Sequence, residues 1–260
     1  MTAITDEMFA PQFAVLQDLF GDIISVQKAV RDLASISLSI EPKAGLGRLW
    51  AVIVGCACES PEHHDKLVDI LVQLSKLPSP KTAGGDALIL YDMQIWKDLP
   101  TLGWALREQW NISVPSGPPD NRQSVISKII NRDKFTALLM ATEEPVFAYS
   151  WFAIFTLRDA LEIPINQLLP TYPLEALIPA AAWISTLGVE IYEWDKDLSG
   201  YKGMAPGSGG PLCFCKERWQ LWRKRFGEVA RMRGEIGDEA RTAAREAEEM
   251  MLEIENGEVE

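Results

Sequence analysis

The chain has 260 residues, 47% hydrophobic and 24% charged, with a formal net charge of −12, a composition that gives room for one large globular domain or two small ones. The negative balance argues against nucleic acid and anionic membrane surfaces as partners, because phosphate is held by Lys and Arg. The longest uncharged apolar run, residues 176–189, contains Pro179 and is shorter than the ~20 residues a bilayer requires, so no membrane segment is expected.

The first residues have no basic start and no apolar run, so no secretory signal is expected. Four cysteines are too few to staple a chain of this length. The expected location is cytoplasmic. Phe9, Phe13, Leu16 and Phe20 repeat at helical spacing, as do Ile23, Val26, Val30 and Leu33. This predicts helices over 7–19 and 22–36, parted at Gly21. A third is predicted over 44–58, through Leu46, Leu49, Trp50, Ile53 and Val54. Ser60-Pro61-Glu62 reads as N-cap, first-position proline and first-turn acid, starting a fourth helix that runs to Leu77.

Residues 78–90 form a connector centred on Gly84-Gly85. Ala87–Leu90 has strand character, but no second strand is evident nearby, so it reads as loop. Residues 91–111 are predicted as helix divided at Pro100, with Asp98 capping the second part. Trp96, Leu99, Leu102, Leu106 and Trp110 lie near one stripe of it. After a Pro/Gly turn at 114–119, Asp120 is the expected cap of a helix through Ala141.

Residues 145–163 are apolar almost all round, through Phe147, Trp151, Ile154, Phe155 and Leu161. Pro145 suits a first helical position, and such a helix is expected to be central. Pro164, Pro170 and Pro173 make an irregular link to a long apolar helix over 174–195. Residues 196–215, rich in Gly and Pro, read as a mobile loop. Trp219, Trp222, Phe226 and Val229 then fall three and four apart, a docking stripe. From Gly234 onward ten acids face two arginines, which predicts a solvated, fraying helix or disorder. The expected fold is all-α. It has a single domain of about eight or nine packed helices over 5–233, with the Gly/Pro-rich loop at 196–215. A polar, partly disordered acidic tail follows at 234–260.

Few motifs carry chemistry. Cys56 and Cys58, with His63 and His64 nearby, and Cys213 with Cys215 are residue types that bind zinc. Two residues apart on a helix is about 200° of rotation, so Cys56 and Cys58 cannot face one ion, and no metal or cofactor is expected. Gly207-Ser208-Gly209-Gly210 lacks both the nucleophile-elbow pattern and the Lys-Ser/Thr of a phosphate loop. His63 and His64, the two histidines, fall in a first helical turn, where the helix dipole disfavours their charged form. The basic group Arg223-Lys224-Arg225 alternates with the docking stripe and reads as a solvated face.

What remains is a set of charged residues inside apolar helices: Arg107 and Glu108, Arg158 and Glu162, and Glu190. Arg158 and Glu162 are four apart and share a face. One reading is structural ion pairs or solvated helix ends, since a buried charge is costly unless paired. The other is the polar anchors of an internal pocket, walled by Trp151 and Trp183.

Several stretches carry a resemblance. They are Trp50-x-x-Ile53, Trp96-Lys97-Asp98-Leu99-Pro100 running on to Arg107-Glu108-x-Trp110, and Leu157-Arg158-Asp159-Ala160-Leu161-Glu162. Ala180-Ala181-Ala182-Trp183 and Trp219-Gln220-Leu221-Trp222-Arg223-Lys224-Arg225-Phe226 complete the series. In this order, over about residues 46–230, the chain resembles a fungal family known as domain of unknown function 3632. The resemblance implies a helical, intracellular protein of filamentous fungi and transfers no catalytic residues. The acidic tail and the Gly-rich stretch at 200–210 lie outside its pattern.

Enzymatic activity is left open by the sequence. The absence of a nucleophile, base and metal set favours a non-catalytic helical module that binds a protein partner. The alternative is a small-molecule-binding protein, enzyme or accessory factor of fungal secondary metabolism. In it, Arg107, Glu108, Trp151, Arg158, Glu162, Trp183 and Glu190 would line a pocket in the helical core.

Overall fold

The computed structural model describes residues 9–112, 119–162, 177–198, 213–232 and 237–258. Among these the protein is all-α, with ten α-helices and two short hairpins. The chain divides into two compact units, residues 1–148 and 149–260.

In the first unit, α1 (Ala10–Phe20) and α2 (Val26–Leu38) pack on each other, and α2 packs on α3 (Pro42–Glu59). Ser25 caps α2, its hydroxyl accepting from the Lys28 amide at 3.3 Å. The most buried helix is α3, not the expected 145–163: Leu46, Leu49, Trp50, Val52, Ile53 and Ala57 are all fully enclosed. Gly45 lets it approach α2. A Cβ there would stand 1.8 Å from the Ser37 carbonyl oxygen, so any side chain forces the two backbones apart. A 3-10 turn at Pro61–His63 precedes α4 (His64–Ser75), which packs on α2 and on α6 (Pro119–Met140).

The stretch before α5 (Leu102–Trp110) departs from the helix expected over 91–111. Residues Ile89–Leu90 form β1 and Met93–Gln94 form β2, an antiparallel hairpin. Its turn residues, Tyr91 and Asp92, have φ of 54° and 62°, the left-handed pair a tight two-residue hairpin demands. The Asp98 carboxylate accepts from the Gln94 amide at 2.6 Å and so does not cap α5. Leu99 and Thr101 also have positive φ, 42° and 69°, and between them the Pro100 carbonyl accepts from the buried Trp50 indole at 2.8 Å. Non-glycine residues in this region cost about 1–3 kcal/mol each and persist where surrounding packing over-determines them. Here Ile95, Trp96, Leu99 and Leu102 are buried beneath.

The stretch expected as one helix over 145–163 is divided: Pro145–Phe147 is a 3-10 turn at the end of the first unit, and α7, in the second, spans Ser150–Leu161. The break comes at Ala148, whose ψ of 68° is not helical. Packed on α7 are α8 (Leu177–Glu193) and α9 (Lys216–Ala230). Between α8 and α9, β3 (Lys196–Asp197) pairs antiparallel with β4 (Cys213–Phe214), Lys196 opposite Phe214. Most of the stretch expected to be a mobile loop, 199–212, lies outside the described residues. Trp219, Trp222, Phe226 and Val229 of α9 are buried, as their stripe predicts.

The expectation of a frayed or disordered tail is overturned. Asp238–Asn256 is a helix, α10, packed on α8 and α9. Its buried residues are Ala240, Ala244, Ala247, Met251 and Ile254, spaced four, three, four, three, the repeat of a coiled-coil seam. The exposed side carries Glu246, Glu249 and Glu253. Net composition hid the seam, because three of its five residues are alanine.

Candidate functional site

The seven residues singled out from sequence divide between the units: Arg107 and Glu108 in the first, Trp151, Arg158, Glu162, Trp183 and Glu190 in the second. The expected Arg158–Glu162 pair does not form. The half-buried Arg158 guanidinium instead holds its neighbour Asp159, Nε at 3.1 Å and Nη2 at 3.0 Å from Oδ1, and lies 4.8 Å from the Phe155 ring centre. Glu162 is held from α9. The Trp222 indole donates to its Oε1 at 2.9 Å, and Arg218 reaches both its oxygens, at 3.2 and 3.3 Å. Arg225 donates to the Leu161 carbonyl at 3.2 Å. Cations here satisfy the exposed carbonyl end of α7 and its dipole. Part of the basic group of α9 is therefore a docking device rather than a solvated face. Trp151 is half-buried against Phe152 and Phe155 of its own helix. Trp183 is fully enclosed, and Glu190 is half-buried on α8.

The first unit holds a buried polar cluster that the sequence reading missed. Arg132 and Asp133 of α6 are both buried. The Arg132 Nε donates to Asp133 at 3.0 Å, its Nη1 donates to the Gln109 carbonyl at 3.0 Å, and its guanidinium lies 3.8 Å from the Trp110 ring centre. Asn131 donates to the Cys58 carbonyl at 2.9 Å. Ion pairing, a carbonyl and an aromatic face thus occupy this guanidinium, as a structural buried arginine requires. A signal for Asp133 existed: with Ile126, Ile130 and Ala137 it falls on one helical stripe.

Nucleophilic chemistry finds no support nearby. Burial pushes the thiols of Cys56 and Cys58 up to about 12, and the thiolate is the reactive form. His64 is buried, its Nε2 2.8 Å from the Ala57 carbonyl, and burial lowers its pKa. Among the described residues no three His, Cys, Asp or Glu side chains gather in a metal-binding group. No described helix is long and apolar enough to cross a membrane.

The feature that packing leaves unexplained is an exposed aromatic pair. Tyr91, at the hairpin tip, and Trp104, on α5, are 43% and 55% exposed with ring centres 4.9 Å apart. The Lys43 ammonium stands 5.9 Å from the Tyr91 centre, and Ile89 on β1 is 50% exposed. Arg107 and Glu108 are exposed one helical turn beyond Trp104. The strained backbone described above, pinned by Trp50 to Pro100, supplies the base for these rings. Sequence reading placed Tyr91 in a helix and so missed the pairing; Trp104, off the apolar stripe of α5, was its one visible sign.

No curated protein is significantly similar to this chain. The family model described as a protein of unknown function, DUF3632, matches residues 50–226. That span begins at the Trp50 that anchors the Pro100 turn, ends within α9 and stops short of α10. Covering more than half of the sequence, the match shows that the chain belongs to this family.

Proposed function

We propose that the protein is a non-catalytic helical module that binds a protein partner through the Tyr91–Trp104 face. The observation carrying this reading is the pair of touching, half-exposed aromatic rings held on a pinned backbone. Trp, Tyr and Arg are the residues in which binding energy concentrates at protein interfaces, and a polar rim around them excludes water. Lys43, Arg107 and Glu108 supply such a rim. The partner that fits presents an apolar side chain to the two rings and a carboxylate to Lys43 or Arg107. The small-molecule alternative loses its main anchors, since Arg158 is engaged by Asp159 and Glu162 by Arg218 and Trp222.

The test is quantitative co-purification with the full chain, its Tyr91→Ala/Trp104→Ala variant, and Ile23→Ala as a control at another exposed apolar residue. A partner held by wild type and control should fall at least about tenfold with the double variant, the loss of one hot spot or more. Both rings are half in water, so the double variant should melt close to wild type. Equal recovery by all three proteins would overturn the assignment.

A further inference from the structure

The chain has two Cys-x-Cys pairs, Cys56 with Cys58 and Cys213 with Cys215, and none of the four is in a disulfide. The spacing is the same but the backbone is not. On α3, about 200° of helical rotation divides the first pair. Both of its thiols are buried, and burial pushes them up to about 12. Structural thiols of this kind are inert.

The second pair lies on extended backbone. Cys213 belongs to β4, and Cys215 follows at φ −154° and ψ 163° before α9 begins. Side chains alternate along a strand, so residues two apart share a face. Between the cysteines, Phe214 is 1% exposed, its ring centre 4.9 Å from that of Trp194 and 6.1 Å from that of Trp222. Phe214 therefore points inward, and the two cysteines take the outer side, where both are partly exposed. The Cys215 thiol hydrogen-bonds the exposed Glu217 carboxylate, which holds its sulfur at the surface. Arg218 donates to the Cys213 carbonyl at 3.0 Å, and the Trp219 amide donates to the Cys215 carbonyl at 3.1 Å. The backbone on either side of Phe214 is thus fixed to α9.

We infer that Cys213 and Cys215 are a redox-active dithiol, which a low-molecular-weight disulfide such as glutathione disulfide closes to a disulfide within the chain. At extended spacing their Cα atoms are about 6.4–6.8 Å apart, the upper end of what a disulfide spans. The Cβ atoms must come within about 4.5 Å of each other, so closure bends the strand at Phe214 and draws its ring away from Trp194 and Trp222. A strained disulfide near the surface is readily reduced, which makes the dithiol the resting form. In the reaction, one cysteine thiolate attacks glutathione disulfide and displaces one glutathione thiolate, leaving a mixed disulfide on the chain. The other cysteine thiolate attacks the chain's sulfur of that mixed disulfide and displaces the second glutathione. Two cysteine thiols are oxidised to one disulfide, and one glutathione disulfide is reduced to two glutathione thiols. The two cysteine protons pass through solvent to the departing thiolates. This site is independent of the aromatic face of the first unit.

The test equilibrates native full-length protein in glutathione buffers of increasing oxidised fraction and quenches it with acid. Thiols are then counted in denaturant and mapped by peptide mass. The count should fall from four to two, with a disulfide joining Cys213 to Cys215 and with Cys56 and Cys58 still reduced. Excess reduced glutathione should restore the full count. Cys213→Ser and Cys215→Ser should each stop at the mixed disulfide with glutathione. Oxidised wild type should melt below reduced wild type, whereas the Cys213→Ser/Cys215→Ser double variant should melt alike in both buffers. An undiminished thiol count at every ratio would overturn the proposal. Loss of Cys56 and Cys58 in place of the outer pair, or a disulfide joining two chains, would do the same. Equal melting of oxidised and reduced wild type would overturn the bend at Phe214. Should a serine variant fail to fold, the wild-type count and peptide map decide alone.

Discussion

Two consecutive helices of the second unit, α9 and α10, dock by opposite means. The former buries Trp219, Trp222, Phe226 and Val229, and the latter buries Ala240, Ala244, Ala247, Met251 and Ile254. Both stripes run at helical spacing. One is made of large side chains and stands out in any hydrophobicity pattern. The other has small side chains between rows of acids, so its composition reads as a solvated tail. Periodicity, not average polarity, separates a docked acidic helix from a disordered one. The two seams should also differ in energy, because aromatic side chains remove far more apolar area from water than alanine does.

The widest gap should come from Trp222→Ala. Trp222 is 1% exposed, lies 6.1 Å centre to centre from Phe214, and donates to Glu162. Its removal should cost about 3–5 kcal/mol and leave Glu162 held by Arg218 without the indole. Thermal or urea unfolding reads this directly, and a curve that barely moves would refute the α9 docking stripe.

How much was legible follows from particular residues. The helices α1 to α4, α6, α8 and α9 were visible because their stripes run for three turns or more. The hairpin was not, because each strand has two residues and its left-handed turn uses Tyr91-Asp92 where such turns favour Asn-Gly. The Arg158–Glu162 pair was the natural i to i+4 guess, yet Glu162 caps the C-terminal end of α7 and is claimed by Arg218 and Trp222 from across the unit. The pairing of Arg132 with Asp133 gave no spacing signal, since adjacent residues on a helix do not normally face each other; only the place of Asp133 on the stripe of Ile126, Ile130 and Ala137 marked it for burial.

A second, smaller effect sharpens the reading of α10. Ala244 is fully enclosed, so Ala244→Leu overfills the seam and should cost about 1–3 kcal/mol. On a frayed, solvated helix the same change would be nearly neutral, because Ala and Leu are both strong helix formers. Equal melting of the two proteins would return α10 to the status of a tail.

The first unit offers a pH-dependent counterpart, with one proton at stake. Burial holds His64 below its ordinary value of 6.5, with Lys134 acting in the same direction and the Ala57 carbonyl, Asp65 and Glu62 opposing. A depressed histidine contributes nothing above the unfolded value, where both states are neutral. As pH falls below about 6.5, the unfolded chain takes a proton that the folded chain refuses, so stability falls until the lower folded value is reached. Denaturation midpoints followed downward from pH 7 should therefore drop, and His64→Gln should flatten that part of the slope. An unchanged slope would mean the acid loss arises elsewhere.

The smallest expected change tests what holds α10 beyond its seam. Arg231 reaches Glu248 with two hydrogen bonds, but its side chain is 69% exposed. An exposed pair of this kind is worth at most about 1 kcal/mol, and salt screens it. Arg231→Ala should thus lower stability slightly in dilute buffer. The difference should shrink further at about 1 M salt, where the screening length is about 3 Å. Trp222→Ala and Ala244→Leu act through packing, so their costs should persist at that salt concentration. Unfolding all three variants at low and high salt separates the cases. If Arg231→Ala cost as much as Ala244→Leu and kept that cost in salt, α10 would be fastened by a desolvated ion pair, and the alanine seam would be a consequence of close approach rather than its cause.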